Sequence, residues 1–428
     1  MWLPPWETAS SPADKWRSPF RLQNLDTSPS SMELHGTFQT SSFVDCLIKP
    51  YVFELHSGRT MNYDVALSSG FREYSRTELI DSLRRMIGLT GGWPDPAARG
   101  AKVLLKVNML SAKAPGRAIT THPEVVAALA VILSEMGCRV AIGDSPGGAV
   151  KGVERYWKNC GYADIAHELD LELVNFESAG SVRISVNDRE YNIAKPILEA
   201  DLLVNVFKFK THGLCRLTGA VKNAFGAVPG LGKAVLHSHA VRPRDFAEIL
   251  VDIYSVVPFQ LHVMDAILSM DGKGPSTDGT PRWDGILGVA RDGVKMDLVM
   301  AEMAGLDPLD LRTNRAAVSR GMGSQRGDIS VSGLEDCSLE NFRIPRESFY
   351  NLLPSFLGRL ARFLFKRPPS ANDRCIGCGV CADACPVDAI EIRDGNAEMD
   401  RGKCIMCLCC HELCPERAVT VRVPFGRG

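Results

Sequence analysis

The sequence predicts an α/β fold, a mainly parallel sheet with helices on both faces, followed by a small C-terminal α+β module. Two observations carry this. Between about residues 61 and 335, apolar strand-like runs alternate with helical patterns, as in a sheet buried on both sides. Near the C-terminus, cysteines fall into two copies of one spacing, C-x2-C-x2-C-x3-C-P. A third observation, polar, cationic and glycine-rich residues just past the strands, locates a ligand site, because ligands of open α/β sheets bind beyond the carboxyl ends of the strands.

Taken in order, residues 1–60 are rich in Ser, Pro and Thr, with Trp2, Trp6 and Trp16 lacking an apolar face around them. They are expected to be a flexible N-terminal extension, with Met61 a candidate natural start. The α/β domain is expected over 61–344. Strands are expected at Asp64–Leu67, Lys102–Val107, Arg139–Gly143, Leu171–Phe176, Leu202–Phe207, Leu261–Asp265 and Ile286–Ala290. Helices are expected at Arg76–Ile87, Pro123–Met136, Ala163–Leu169, Asp245–Val257 and Leu298–Ala304. The second of these opens on proline and stops at Gly137. A connecting amphipathic helix over 345–369 presents Phe349, Leu352, Leu353, Phe356, Leu357, Leu360, Phe363 and Leu364 as one stripe, which is expected to dock the last module on the body. Pro368 and Pro369 end it, and the cysteine module occupies 370–428.

The 428 residues are 45% hydrophobic and 23% charged, with a formal net charge of -1. That balance suits a soluble globular chain and argues against a nucleic-acid binder. The sequence contains no apolar stretch of about 18 residues, so no membrane span is expected.

The cysteine repeat carries the clearest chemistry. Its first copy is Cys375, Cys378, Cys381 and Cys385; its second is Cys404, Cys407, Cys410 and Cys414. This is the run by which bacterial-type ferredoxins hold two [4Fe-4S] clusters, the fourth cysteine of each copy ligating the other cluster. Cys375, Cys378, Cys381 and Cys414 are therefore assigned to one cluster, and Cys404, Cys407, Cys410 and Cys385 to the other. A disulfide framework would need a secretory leader, and residues 1–30 hold no apolar core for one; zinc sites usually use two separated C-x2-C pairs. Cys409 is spare by spacing, while Cys46, Cys138, Cys160, Cys215 and Cys337 read as packed thiols. Thiolate ligands imply a reducing compartment, hence the cytoplasm.

Past the strand ends lie Lys106 and Asn108, then Gly143 to Gly148 with Asp144, then Lys208, Lys210 and His212, then Asp265, and further on Lys222 and Asn223. Ammonium groups suit phosphate or carboxylate, so Lys106, Lys208, Lys210 and Lys222, with Asn108 and Asn223, are expected to hold an anionic small molecule. His212 is the first candidate for proton transfer, with Asp144 and Asp265 expected either to orient it or to bind a metal.

The stretches VLLKVN (Val103–Asn108), TTHP (Thr120–Pro123), GDSPG (Gly143–Gly147), FKFKTHG (Phe207–Gly213), LTGAVKNAFG (Leu217–Gly226), DAILSM (Asp265–Met270) and GPSTDGT (Gly274–Thr280), with His237, resemble the DUF362 family. KCIMCLCCHELCP (Lys403–Pro415) resembles the ferredoxin end found in such fusions, Cys409 included. The resemblance implies the fold and the fusion, and supplies no reaction.

The leading expectation is a redox protein passing electrons from an external carrier or redox enzyme, through two [4Fe-4S] clusters, to an anionic ligand on the rim. The alternatives are an electron-transfer adaptor whose α/β domain docks partner enzymes, and a non-redox metal or cofactor site at His122, His212, His237 and His239 with structural or sensory clusters.

Overall fold

The computed structural model describes residues 62–95, 97–147, 152–240, 242–276, 278–345, 369–405 and 409–420. The expected extension, Met61, Cys46, Cys407 and the connecting helix over 346–368 lie outside the described residues.

The α/β domain runs β1 (Val65–Ser68), α1 (Arg76–Leu89), β2 (Lys102–Lys106), α2 (Pro123–Glu135), β3 (Arg139–Asp144), α3 (Glu154–Asn159), α4 (Tyr162–Glu168) and β4 (Glu172–Asn175). A hairpin follows, β5 (Ser181–Val186) and β6 (Arg189–Ala194), then α5 (Lys195–Glu199), β7 (Leu202–His212), β8 (Arg216–Thr218), α6 (Ala220–Asn223), α7 (Gly232–His239) and α8 (Pro243–Val256). It closes with β9 (Leu261–Gly272), β10 (Gly279–Ala290), α9 (Gly293–Met303), α10 (Arg312–Ser319) and β11 (Val331–Ser332).

Among the described residues, the main sheet has nine strands in the order β11-β1-β10-β9-β7-β2-β3-β4, with β8 on the end of β7. The run β9-β7-β2-β3-β4 is parallel, and β10 is antiparallel to both its neighbours, β1 and β9. The mainly parallel sheet is therefore as expected. Two apolar cores cover its faces: Leu79, Val126, Leu129 and Ile142 with α1 to α4 on one side, and Phe207, Phe246, Leu250 and Met300 with α6, α8 and α9 on the other. Each such side chain, fully buried, contributes roughly 1.5–3 kcal/mol.

Local chemistry explains the helix bounds. His122 caps α2 by accepting from Glu124 N at 3.3 Å, with Pro123 in the first turn. At its far end Gly137 takes φ +81°, and Cys138 N closes on Leu133 O at 3.0 Å. Asp292 caps α9, accepting from Val294 N and Lys295 N.

β7, β9 and β10 are longer than their apolar cores suggested. β7 runs on to His212 with every residue buried, including Lys208, Lys210 and Thr211. An apolar-run criterion stops where the lysines begin, whereas the chain continues because those lysines find internal partners. The β5–β6 hairpin and helices α3, α7 and α10 had no sufficient sequence signal; the hairpin is largely exposed and is pinned by Asn187, Arg189 and Tyr191 to the buried carboxylate of Asp252.

The C-terminal module comprises β12 (Ser370–Ala371), α11 (Val380–Asp383), β13 (Ile390–Arg393), β14 (Asn396–Met399), α12 (Cys409–Leu413) and β15 (Val419–Thr420). β12 pairs with β15 and β13 with β14. The module meets the α/β domain where Arg417 Nε lies 3.4 Å from Asp278 Oδ1, and where Gly147 approaches Leu413.

Candidate functional site

Parallel strands deliver their carboxyl ends to one rim, and β2, β3 and β7 bring Lys106, Asp144 and His212 there. Together with α6 and α7 they form a cavity of about 70 Å³, lined among others by Lys106, Asn108, Asp144, His212, Lys222 and Asn223. Among the lining groups that had no assigned role at the sequence level are Ser145, Lys233, Cys409 and Leu413. The last two belong to α12 of the cysteine module, so the module forms one wall of the cavity.

Lys106 is fully buried, and its Nζ lies 2.7 Å from Asp144 Oδ1 and donates to Val107 O at 2.8 Å. Asp144 Oδ2 accepts from Met109 N at 2.6 Å. Burial lowers the pKa of Lys106 and raises that of Asp144, each opposed by the partner's charge. A Cβ at Gly226 would stand 2.4 Å from Asp144 Oδ1 and 2.6 Å from Lys106 Nζ, so only glycine lets the loop close on this pair. Lys233 donates to Ser145 O at 3.0 Å and Pro146 O at 2.5 Å, with Glu177 3.7 Å away. Burial pulls its ammonium down to about 8 against the pull of Glu177 and Asp144.

His212 Nδ1 accepts from Leu214 N at 3.1 Å and Cys215 N at 3.2 Å. Backbone groups thus orient this ring, not Asp144 or Asp265 as expected. Burial first, then the charge of Lys222, keeps His212 well below its ordinary range. The expectation of a near-neutral proton donor is therefore corrected: His212 is a neutral imidazole with its proton on Nε2. His237 stacks on Phe246 at 4.2 Å and is held at about 3 by burial, with Lys222 adding to the effect.

Three expected members lie elsewhere. Lys208 Nζ and Asp265 Oδ2 form a buried pair at 2.6 Å, completed by Tyr74 hydroxyl donating to Asp265 Oδ1 at 2.9 Å and by His122 N donating to Oδ2 at 2.8 Å. Tyr74 stacks on the His122 ring at 3.5 Å. Burial depresses His122 to about 4. Lys210 Nζ donates to Ile119 O. Lys208, Lys210 and His212 share one parity along β7, so alternation does not separate them; β7 is irregular between Lys208 and Lys210, and the two lysines are held by these partners away from the cavity. His122 is likewise committed to this inner network, and the side chain of His239 lies outside the description. Among the described residues, no three His, Cys, Asp or Glu side chains converge to hold a single metal ion.

Lys222 and Asn223 ride on the short helix α6, whose first two N–H groups, of Ala220 and Val221, donate to Asp297 at 2.6 and 3.0 Å. Gly219 permits this approach, since a Cβ there would lie 2.2 Å from Asp297 Oδ1. Burial raises Asp297 from 3.8 to about 7, against those two bonds. The unfolded chain, with the ordinary carboxyl value, binds fewer protons than the folded one between about pH 4 and pH 7. The contribution of Asp297 to stability is therefore greatest below that window and falls as pH rises through it. Asp297→Asn is expected to flatten this slope by a few kcal/mol across the window, as read by urea unfolding at several pH values.

In the cysteine module, Cys375, Cys378, Cys381 and Cys414 line one pocket, and Cys385, Cys404, Cys409 and Cys410 line another. A zinc site would gather four sulfurs at about 2.3 Å from one ion, whereas a [4Fe-4S] cubane would take one thiolate per iron corner. Ala389 N donates to Cys385 Sγ and Ala418 N to Cys414 Sγ, both at 3.2 Å, bonds that favour the thiolate. Burial, aided by Cys378, Cys414 and Cys375, pushes the Cys381 thiol up to about 11, so its deprotonation requires a bound cation. Cys138, Cys160 and Cys337 are buried elsewhere in the fold, and burial pushes Cys160 and Cys337 up to about 11. No helix among the described residues is long and apolar enough to cross a membrane.

Residues 103–302 match the family described as "Domain of unknown function (DUF362)", and residues 371–391 match a "4Fe-4S binding domain". The thylakoid-associated protein sll1697 of Synechocystis is 32% identical over 301 residues, 69% of this chain and 91% of that protein. NADH-quinone oxidoreductase subunit I of Pseudomonas syringae is 32% identical over 85 residues, 20% of this chain and 44% of that subunit. Among solved structures, the lactate racemase apoprotein of Thermoanaerobacterium thermosaccharolyticum gives a TM-score of 0.33 at 14% identity, covering 51% of this chain and 53% of that one, a likeness too distant to carry an argument.

Proposed function

Because the chain belongs to the DUF362 family and joins to it a 4Fe-4S electron-transfer module, we propose that it is a redox enzyme with two [4Fe-4S] clusters, exchanging electrons between an external carrier and an anionic ligand in the strand-end cavity. One cluster is held by Cys375, Cys378, Cys381 and Cys414, the other by Cys404, Cys407, Cys410 and Cys385. When bound, each supplies one electron at a time.

The observation that carries this reading is Cys409. It lies in the wall of the cavity lined by Cys385, Cys404 and Cys410 and also in the wall of the strand-end cavity. One residue thus separates the inner cluster position from the ligand position. The other cluster position opens outward, with Cys378 exposed and Ile376 64% exposed, and is the proposed contact for the carrier. Within the ligand cavity Lys222 attracts the anion, the neutral His212 lines the wall, and the Lys106–Asp144 pair fixes the floor. An adaptor that only docks partners would need no such cavity. The proposed location is a reducing compartment, the cytoplasm.

The test is to reduce the protein anaerobically and follow recovery of the cluster absorbance on adding small anions. An anion that reoxidises the wild type is expected to do so at least a hundredfold more slowly (about 3 kcal/mol,) in His212→Phe, with iron content and reoxidation by a viologen dye unchanged. Equal anion-dependent rates in both proteins would move the assignment to the adaptor.

A further inference from the structure

We propose that the ligand of the strand-end cavity is a hydroxycarboxylate, a small molecule with one negative charge and a hydroxyl donor, held between Lys222 and Asn108. The inference rests on the reading of that cavity as the ligand site and adds the ligand's chemical class.

The first observation is a charge count. Three cations line the cavity, Lys106, Lys222 and Lys233. Lys106 is neutralised by Asp144 at 2.7 Å. Lys233 is tied to Ser145 and Pro146, with Glu177 3.7 Å away. Lys222 makes no hydrogen bond or ion pair among the described residues. The two imidazoles, His212 and His237, are kept neutral by burial and by Lys222 itself. One positive charge is left to meet a ligand. A single carboxylate matches it, whereas a pyrophosphate group would bring more negative charge than the unpaired lining cation balances.

The second observation is independent of charge. Asn223 Nδ2 donates to Val107 O at 3.3 Å and to Asn205 Oδ1 at 2.8 Å, while Asn205 Nδ2 donates to Ala220 O at 3.0 Å. Anchored on two carbonyls, this row of amides leaves Asn223 Oδ1 facing Asn108 Nδ2, which donates to it at 3.0 Å. The orientation of Asn108 follows from the chain of bonds. Its Oδ1 is buried and finds no donor among the described residues. A buried acceptor without a donor is costly, and Asn108 lines this cavity, where a ligand hydroxyl would supply the donor. Met109, Leu110, Phe225 and Leu413 give the rest of the ligand an apolar surface.

The experiment is calorimetric titration of the oxidised, cluster-loaded protein with 3-hydroxybutyrate, butyrate and inorganic pyrophosphate. 3-Hydroxybutyrate is expected to bind about tenfold more tightly than butyrate, and pyrophosphate more weakly than either. Lys222→Met is expected to weaken both carboxylates by roughly tenfold to a hundredfold, with Lys222→Arg recovering part of the loss. Asn108→Ala should bring the two carboxylates to equal affinity. Preference for pyrophosphate, unchanged carboxylate binding in Lys222→Met, or no binding of any of the three overturns the assignment. The electron-transfer reading fails separately: a carboxylate that binds through Lys222 without reoxidising reduced clusters leaves the ligand class standing and removes the redox role.

Discussion

Cys414→Ser, a change in the second cysteine repeat, is expected to empty the cluster position of the first repeat. Cys414 stands with Cys375, Cys378 and Cys381 around one cavity, apart from Cys404 and Cys410. Iron is expected to fall from about eight to about four atoms per chain, as in a two-cluster ferredoxin that has lost one cluster. The surviving cluster should be the inner one, beside the strand-end cavity. Iron and acid-labile sulfide analysis of anaerobic protein, with electron paramagnetic resonance after reduction, reads both. Loss of all iron, or a value of eight in the variant, would contradict the crossed ligation; four in the wild type would remove the second cluster altogether.

Lys106→Met should cost about 3–5 kcal/mol of folding stability, because it strands a carboxylate in the interior. Asp144 is 2% exposed and keeps only the Met109 N–H as a donor once Lys106 is gone. The effect should shrink as pH is lowered, since a protonated Asp144 no longer carries a buried charge. Denaturant unfolding at two pH values measures it. The double variant Lys106→Met, Asp144→Leu is expected to recover most of the loss, because removing both partners leaves no unpaired charge. A loss below about 1 kcal/mol in the single variant would mean that water reaches the pair and that the rim is far more open than its burial indicates.

Legibility in the sequence differed between the two halves. The proposed cluster ligation was read from residue type and spacing alone: thiolates at C-x2-C-x2-C intervals sit on one tight loop whatever surrounds them, and the proline after the fourth fixes a local turn. The parallel sheet was likewise readable, because buried strands are continuous apolar runs and covering helices carry an apolar stripe. The strand-end site was readable only in part. Lys106, Asn108, Asp144, His212, Lys222 and Asn223 do gather there, yet Lys208, Lys210 and Asp265 from equally suggestive stretches do not. Nothing in FKFKTHG tells which lysine meets a carboxylate across the sheet and which residue reaches the rim.

Composition and spacing alone determined an α/β body and a 4Fe-4S module, because apolar periods and closely spaced cysteines are local features of the sequence. The tertiary structure decided the rest. It set the tautomer of His212, through two backbone N–H groups, and the isolation of Lys222, through the pairing of the other cations. It also gave Cys409, surplus by spacing, its place between two cavities. These features depend on groups as much as 300 residues apart in the chain, and only folding brings such groups within a few ångströms of each other.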